Sequence, residues 1–364
     1  METETSSNCV CPLLLEGVHY TPDSINLTQD NDARIYWIKC FAELVKRFVI
    51  KSEILHPNDP TAKQRADECC QRYLQVLNSL LDNPQLLGPE PLSIRELLDL
   101  NERYLRENGF KDAWYAQKEY ETVLALEQLP ERLLEVDSLN EGPQRWESLC
   151  QGLLAGNMFD WGAKIVADLL EKPQKFELAQ ALLQIESRPW LVDNLDSWLR
   201  RLEGPKHKCA AIFVDNAGID FTLGILPTAR ELLRQGTNVY LCANTLPALN
   251  DLTYPELLTT VQEASKCCMI INDAFNSGRL QAFQTGQTGP CLDLRKLPSA
   301  LCKAMHDVDL VILEGMGRAL HTNLYAKLSV DCLKLAVVKN EWLANRLGGK
   351  KFSVICQYEP GAPS

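Results

Sequence analysis

No apolar run in this 364-residue chain approaches the roughly 20 residues a membrane-crossing helix needs, so no membrane partner is expected. An excess of positive charge is missing too. Against 37 Lys and Arg stand 48 Asp and Glu, for a formal net charge of −11. A nucleic-acid partner, which calls for a basic footprint, is therefore not expected either. The opening METETSSNCV is acidic where a secretory leader would be basic, which makes the cytoplasm the expected compartment. Cys-x-x-Cys spacing, a motif shared by two His, and a GxxxxGK[ST] phosphate loop are all absent. Cysteine-ligated zinc, dithiol redox chemistry and P-loop nucleotide hydrolysis are thereby disfavoured. The 14 cysteines form no metal pattern. Cys69-Cys70 and Cys267-Cys268 are adjacent pairs, while Cys209, Cys242, Cys332 and Cys356 fall in apolar, strand-like segments. They read as small buried hydrophobes of a reduced protein.

What is present is an ordinary globular composition in two halves, long enough for two domains. Residues 1–198 read as mainly helical. Phe41, Leu44, Val45, Phe48 and Val49 share one helix face. Asp59-Pro60 opens a second helix, and Ser93 to Glu96 has the form of a capping box. Further helices are expected around 113–127, 131–136, 146–154, 162–170 and 177–185. Residues 199–364 change character. Short β-rich runs at 210–214, 238–242, 268–271, 310–313, 335–338 and 353–356 alternate with amphipathic stretches at 229–234 and 255–265. Gly236 is placed to end the first of these stretches, and Thr253 with Glu256 to cap the second. Alternation of this kind predicts an α/β fold, a Rossmann-like, mostly parallel sheet with flanking helices, preceded by the helical region.

If those strands are parallel, their carboxyl ends form one rim, where ligands of open α/β folds bind. Residues 209–220, CAAIFVDNAGID, carry an apolar run into Asp215 and Asn216. Later strand ends supply Asn244 and Asp251, then Asn272 and Asp273 with a loop through Gly286 and Gly289. Glu314-Gly315-Met316-Gly317-Arg318 and Lys339-Asn340 follow. Asp and Asn oxygens suit a hard divalent cation. Arg and Lys suit phosphate, and glycines let backbone approach an anion. Each residue also has an ordinary explanation: Asp215 as a helix cap, Asp251 as a turn residue, Glu314 as a partner for Arg318. Gly315 and Gly317 begin a dinucleotide-type GxG, but Leu320 stands where its third small residue belongs. Two other classes stay open: a Rossmann-like nucleotide-binding enzyme, and a metal-stabilised scaffold without turnover.

The Asp-Asn pair after a strand, with Asp251 downstream and EGMGR at 314–318, resembles the metal-dependent damage-control phosphatases. These were long catalogued as a domain of unknown function. Within them it looks like the EGMGR branch, found as the C-terminal domain of pantothenate kinase 4-type proteins and as stand-alone plant proteins. The resemblance covers most of the chain, and a stand-alone form is expected. It implies a phosphomonoester hydrolase whose metal ligands are Asp215, Asn216 and Asp251. Lys339 would hold the phosphate, and Arg318, Asn244, Glu314, Gly315 and Gly317 would lie around the substrate. Mn²⁺, Mg²⁺, Co²⁺ or Ni²⁺ would serve as cofactor. The implied partner is a small phosphorylated metabolite, phosphopantetheine and its damaged forms or a sugar phosphate. No oligomeric state is implied. Asp220 or Glu314 would position the attacking water, with a phosphorylated Asp215 as the rival mechanism.

Overall fold

The computed structural model describes residues 8–158 and 178–362. Five helices come first: α1 (Asn31–Ile54), α2 (Ala62–Asp82), α3 (Ile94–Glu107), α4 (Tyr115–Ser138) and α5 (Pro143–Met158). Each begins or runs as its residues dictate. Asp30 accepts a hydrogen bond from the Ala33 amide at the start of α1, and Ser93 does the same for Glu96 at the start of α3. The expected break near 128–130 does not occur, because α4 continues through Pro130. An interior proline costs ~3 kcal/mol. Ala125, Leu129, Leu133 and Val136 form one buried stripe across it, and that shared burial holds the helix together. The helix expected at 162–170 lies outside the described residues; the last expected one appears as Leu178–Leu182.

The sheet has seven strands. In chain order they are β2 (Val192–Asp193), β3 (Cys209–Phe213), β4 (Asn238–Ala243), β5 (Leu280–Gln284), β7 (Leu310–Glu314), β8 (Asp331–Val337) and β9 (Val354–Glu359). In space they run β2-β9-β8-β7-β3-β4-β5, all parallel except where β9 meets β8. A separate pair joins β1 (Asn8–Cys9) to β6 (Leu297–Pro298). The central strands are buried on both faces, as parallel strands covered by helices must be. One apolar cluster unites α1, α2 and α3 with residues such as Phe213, Leu313 and Ala336. A second unites α4 and α5 with Ile212, Leu241 and Leu335 on the opposite face.

Three sequence expectations need correction. Residues 268–271 are not a strand. They open the helix Met269–Asn276, whose Ile271 and Ala274 point inward three residues apart. Asn272 and Asp273 therefore ride on a helix surface, away from the rim, and the third parallel strand is β5. Strand β8 starts at Asp331 rather than 335, and its buried Lys334 is paired with Glu359 at 3.5 Å. Its ammonium donates to the carbonyls of Leu324 and Ala326 at 3.1 and 2.9 Å. The cysteines are not all reduced, since Cys9 and Cys302 form a disulfide. The other twelve are free thiols, with only Cys267 exposed. The expected caps are present: Thr253 and Glu256 form a full capping box, and Gly236, at φ +96°, follows the end of the helix Leu226–Arg234. No helix among the described residues is long and apolar enough to cross a membrane.

Candidate active site

Strands β3, β4, β5, β7 and β8 deliver their carboxyl ends to one edge, and the charged residues there pair with one another. Chain direction explains the meeting. The Asp215 and Asn216 segment leaves β3 and is stitched to the loop after β4. Leu252 N–H donates to the Asp215 carbonyl at 2.9 Å, and Ala217 N–H donates to the Asn250 carbonyl at 3.0 Å. Asn216 and Asp251 thus stand opposite each other as an isolated bridge. Both Asp215 and Asp251 are buried, at 7% and 2% exposure.

Arg318 closes the ring from the β7 side. Its guanidinium, 1% exposed, donates to Asp215 Oδ1 and, at 2.8 Å, to Asp251 Oδ2. It also donates to Asn244 Oδ1 at 3.1 Å and to the Pro290 carbonyl at 3.4 Å. Asn244 in turn donates to Asp251 Oδ2 and to the Gly289 carbonyl, both at 3.0 Å. The turn after β7 makes this geometry possible. Gly315 has φ +90°, and a Cβ there would fall on the Asp215 carboxylate. A Cβ on Gly317 would fall on the Pro290 carbonyl. Met316–His321 and Asp220–Ile225 are both π-helical turns, which gather at functional sites.

Two further carboxylates, Glu314 and Asp220, lie beside the pair that Arg318 holds. Glu314 Oε2 accepts from the Asp215 amide at 3.3 Å, and Asp220 Oδ2 accepts from Asn216 Nδ2 at 2.9 Å. Burial, reinforced by Asp220, pushes the Glu314 carboxyl well above the usual range. Burial likewise raises Asp220, with Asp215 adding to the shift, and raises Asp251 against the pull of Arg318. Burial works against the Arg318 charge, yet Asp251 and Asp215 more than restore it. Each of the carboxylate shifts disfavours the charged form, and a divalent cation bound among these oxygens would reverse it. Lys339 lies further out, past the end of β8. Its backbone N–H donates to Met316 Sδ at 3.2 Å, and its half-buried ammonium has no hydrogen bond or ion pair among the described residues.

The structure therefore gathers Asp215, Asn216, Asn244, Asp251, Glu314 and Arg318 and leaves Lys339 at the edge. Among the described residues no three Asp, Glu, His or Cys side chains group to hold an ion. The trio Asp215, Asn216 and Asp251 offers two carboxylates and an amide instead. Sequence reasoning missed two contributors from the helical half. Asn157, at the end of α5, donates to Asp215 Oδ2 at 2.8 Å. Lys118, on α4 and 2% exposed, pairs with Asp112 and Glu256 at 2.8 Å each and steadies the segment that bears Asp251. Nothing in the sequence separates Asn157 from the apolar helix around it. Lys118 sits between Gln117 and Glu119 in an ordinary polar stretch, and nothing there marks it out.

Residues 38–355 match the family described as the damage-control phosphatase ARMT1-like domain. The chain is 41% identical to a mouse protein named 4'-phosphopantetheine phosphatase, over 96% of this chain and 48% of that one. It is 39% identical to pantothenate kinase 2 of Arabidopsis thaliana, over 96% of this chain and 42% of that protein. To damage-control phosphatase At2g17340, also from Arabidopsis thaliana, it is 35% identical over 89% of this chain and 87% of that one. It thus spans less than half the length of the mouse protein and the kinase. In three dimensions it resembles a DUF89 family protein from Pyrococcus horikoshii, with a TM-score of 0.60 at 16% identity, over 88% of this chain and 97% of that one.

Proposed function

Since the chain belongs to the ARMT1-like damage-control phosphatase family, we propose that it hydrolyses a small phosphomonoester in the cytoplasm. The substrate we favour is 4'-phosphopantetheine or its damaged forms, with sugar phosphates second. The observation that carries the reading is the buried ring of Asp215, Asn216, Asp251 and Arg318 at the strand ends. The family is metal-dependent, and the donor chemistry here fits a hard divalent ion such as Mn²⁺, Mg²⁺, Co²⁺ or Ni²⁺. Every ligand oxygen of Asp215, Asn216 and Asp251 is a carboxylate or amide oxygen, and beside them Asn157 Oδ1 is buried and accepts no hydrogen bond from a described residue. Asp215, Asn216 and Asp251 would hold the ion, which supplies charge neutralisation and a more acidic water.

The remaining roles follow from position. Arg318 holds the two carboxylates in register and presents its positive charge to the substrate's phosphate oxygens. Lys339, at the rim, receives the phosphate as a point charge. Glu314 and Asp220 accept hydrogen bonds from the attacking water. Attack by Asp215 itself is the rival mechanism, disfavoured because Ala217 stands where phosphatases with an aspartyl nucleophile carry a second acidic residue. The test is hydrolysis of p-nitrophenyl phosphate with added Mn²⁺ or Co²⁺, followed by a phosphometabolite panel including 4'-phosphopantetheine and fructose phosphates. Activity abolished by EDTA and by Asp215→Ala, with the fold retained, is expected. No turnover across metals and esters would sink the reading.

A further inference from the structure

Asn157 belongs to the helical half, yet its side chain ends among the site carboxylates. It is 1% exposed. Its amide nitrogen donates to Asp215 Oδ2 at 2.8 Å and to Asp220 Oδ2 at 3.1 Å. Its amide oxygen is buried and accepts nothing from a described residue. A buried acceptor left unmet costs about 1–3 kcal/mol. A hydrophobic helix could have placed an aliphatic side chain here at no such penalty, so a stabilising role alone does not account for the choice of amide.

The packing that brings Asn157 to this point is equally specific. Helix α5 contacts the π-turn Asp220–Ile225 through glycine. A Cβ on Gly156 would lie 2.9 Å from Asp220 Cα, and one on Gly224 would lie 3.2 Å from both the Gly152 carbonyl oxygen and Leu153 Cα. Backbones this close carry Asn157 onto the carboxylates. Side chains larger than hydrogen at Gly156 or Gly224 would force the elements apart.

We propose that Asn157 is a positioning residue for the phosphatase site, resting on the function proposed above. Its amide N–H groups fix the plane of the Asp215 carboxylate together with Asn216, and its free Oδ1 takes a hydrogen bond from water in the site. Asp215 Oδ2 thus has two amide donors that set its direction, while Oδ1 faces Arg318 and the ligand space. Groups that orient a metal-binding carboxylate typically account for about 10–100-fold in metal affinity or activity. The helical half is on this account part of the site and not only its cover.

The test titrates metal-free protein with Mn²⁺ by calorimetry, in parallel with thermal unfolding and steady-state hydrolysis of p-nitrophenyl phosphate. Asn157→Ala is expected to weaken Mn²⁺ binding and to lower kcat, each by about tenfold or more, with KM changed less. Asn157→Ser, which retains a donor, should recover part of the loss. Gly156→Ala should reproduce it by displacing the helix. Leu149→Ala, in the core of the same helix, should lower the unfolding temperature and leave Mn²⁺ affinity intact. Mn²⁺ affinity within threefold of the parent in whichever of Asn157→Ala and Gly156→Ala folds overturns the proposal, as does an equal loss in Leu149→Ala. Absence of Mn²⁺ binding and turnover in the unsubstituted protein removes the phosphatase reading itself, and this inference with it.

Discussion

At the scale of single residues, the site is organised by one arginine. Removing a partner from a buried ion pair leaves an uncompensated charge, a loss of about 3–5 kcal/mol. Arg318→Ala is therefore expected to lower the unfolding free energy of metal-free protein by that order, read from urea denaturation. Arg318→Lys should recover little, because an ammonium cannot span Asp215, Asn244 and Asp251 as a guanidinium does. A second residue-scale prediction concerns pH. Burial drives His321, packed edge-on against Trp37 at 5.2 Å, down to about 4. Its folded value is below the unfolded one near 6.5, so the unfolded chain takes up the proton first as pH falls. The neutral, buried form contributes stability that is complete above about pH 6.5 and is lost progressively down to about pH 4. His321→Gln should flatten the unfolding free energy across that window. An unchanged slope would show that other groups carry it.

At the scale of elements, the decisive features are where strands end and how the following turns close. The β3 end was legible in the sequence because an apolar run stops at two polar residues. The EGMGR turn was legible as a motif. The third rim loop was found by its glycines although its strand was misplaced. Residues 268–271 and 280–284 are both short apolar-containing runs, and periodicity alone does not tell a buried strand from a short helix at that length. The turn after β7 makes a concrete prediction. Gly315→Ala combines a left-handed backbone position with a Cβ on the Asp215 carboxylate. It should abolish hydrolysis and displace Asp215, visible as lost Mn²⁺ binding, whereas retained binding would mean that the turn can relax. Thr253→Ala removes one half of the capping box beside Asp251 and should cost about 0.5–2 kcal/mol of stability, measured by denaturant unfolding.

At the scale of the molecule, both apolar clusters draw on the N-terminal helices and on the sheet. A chain begun at residue 199 would expose both sheet faces, and expression of that fragment is expected to give aggregated protein. A soluble fragment with one cooperative transition would contradict this. Metal should also act on the whole molecule. An ion held by the folded state alone stabilises it by mass action, about 2.7 kcal/mol at 100 times its dissociation constant. Thermal unfolding should thus shift upward with Mn²⁺ and return with EDTA, and the shift should vanish in Asp215→Ala.

The sequence by itself determined the alternation of strands with helices and the family. It also nominated the residues at the strand ends. Those properties are local, written in apolar runs, caps and a short motif. Only tertiary structure decided which of the nominated residues meet. Arg318 lies between Asp215 and Asp251 because β7 is hydrogen-bonded beside β3, a pairing set by strand order rather than by spacing along the chain. Lys339 leaves β8, on the other side of β7 from β3, and its ammonium pairs with none of these groups among the described residues. Asn157 reaches the carboxylates because two helices approach through glycine, a contact between segments 63 residues apart at the Asn157–Asp220 hydrogen bond. No local pattern announces such a contact, since the amide's partners exist only once the chain has folded around them.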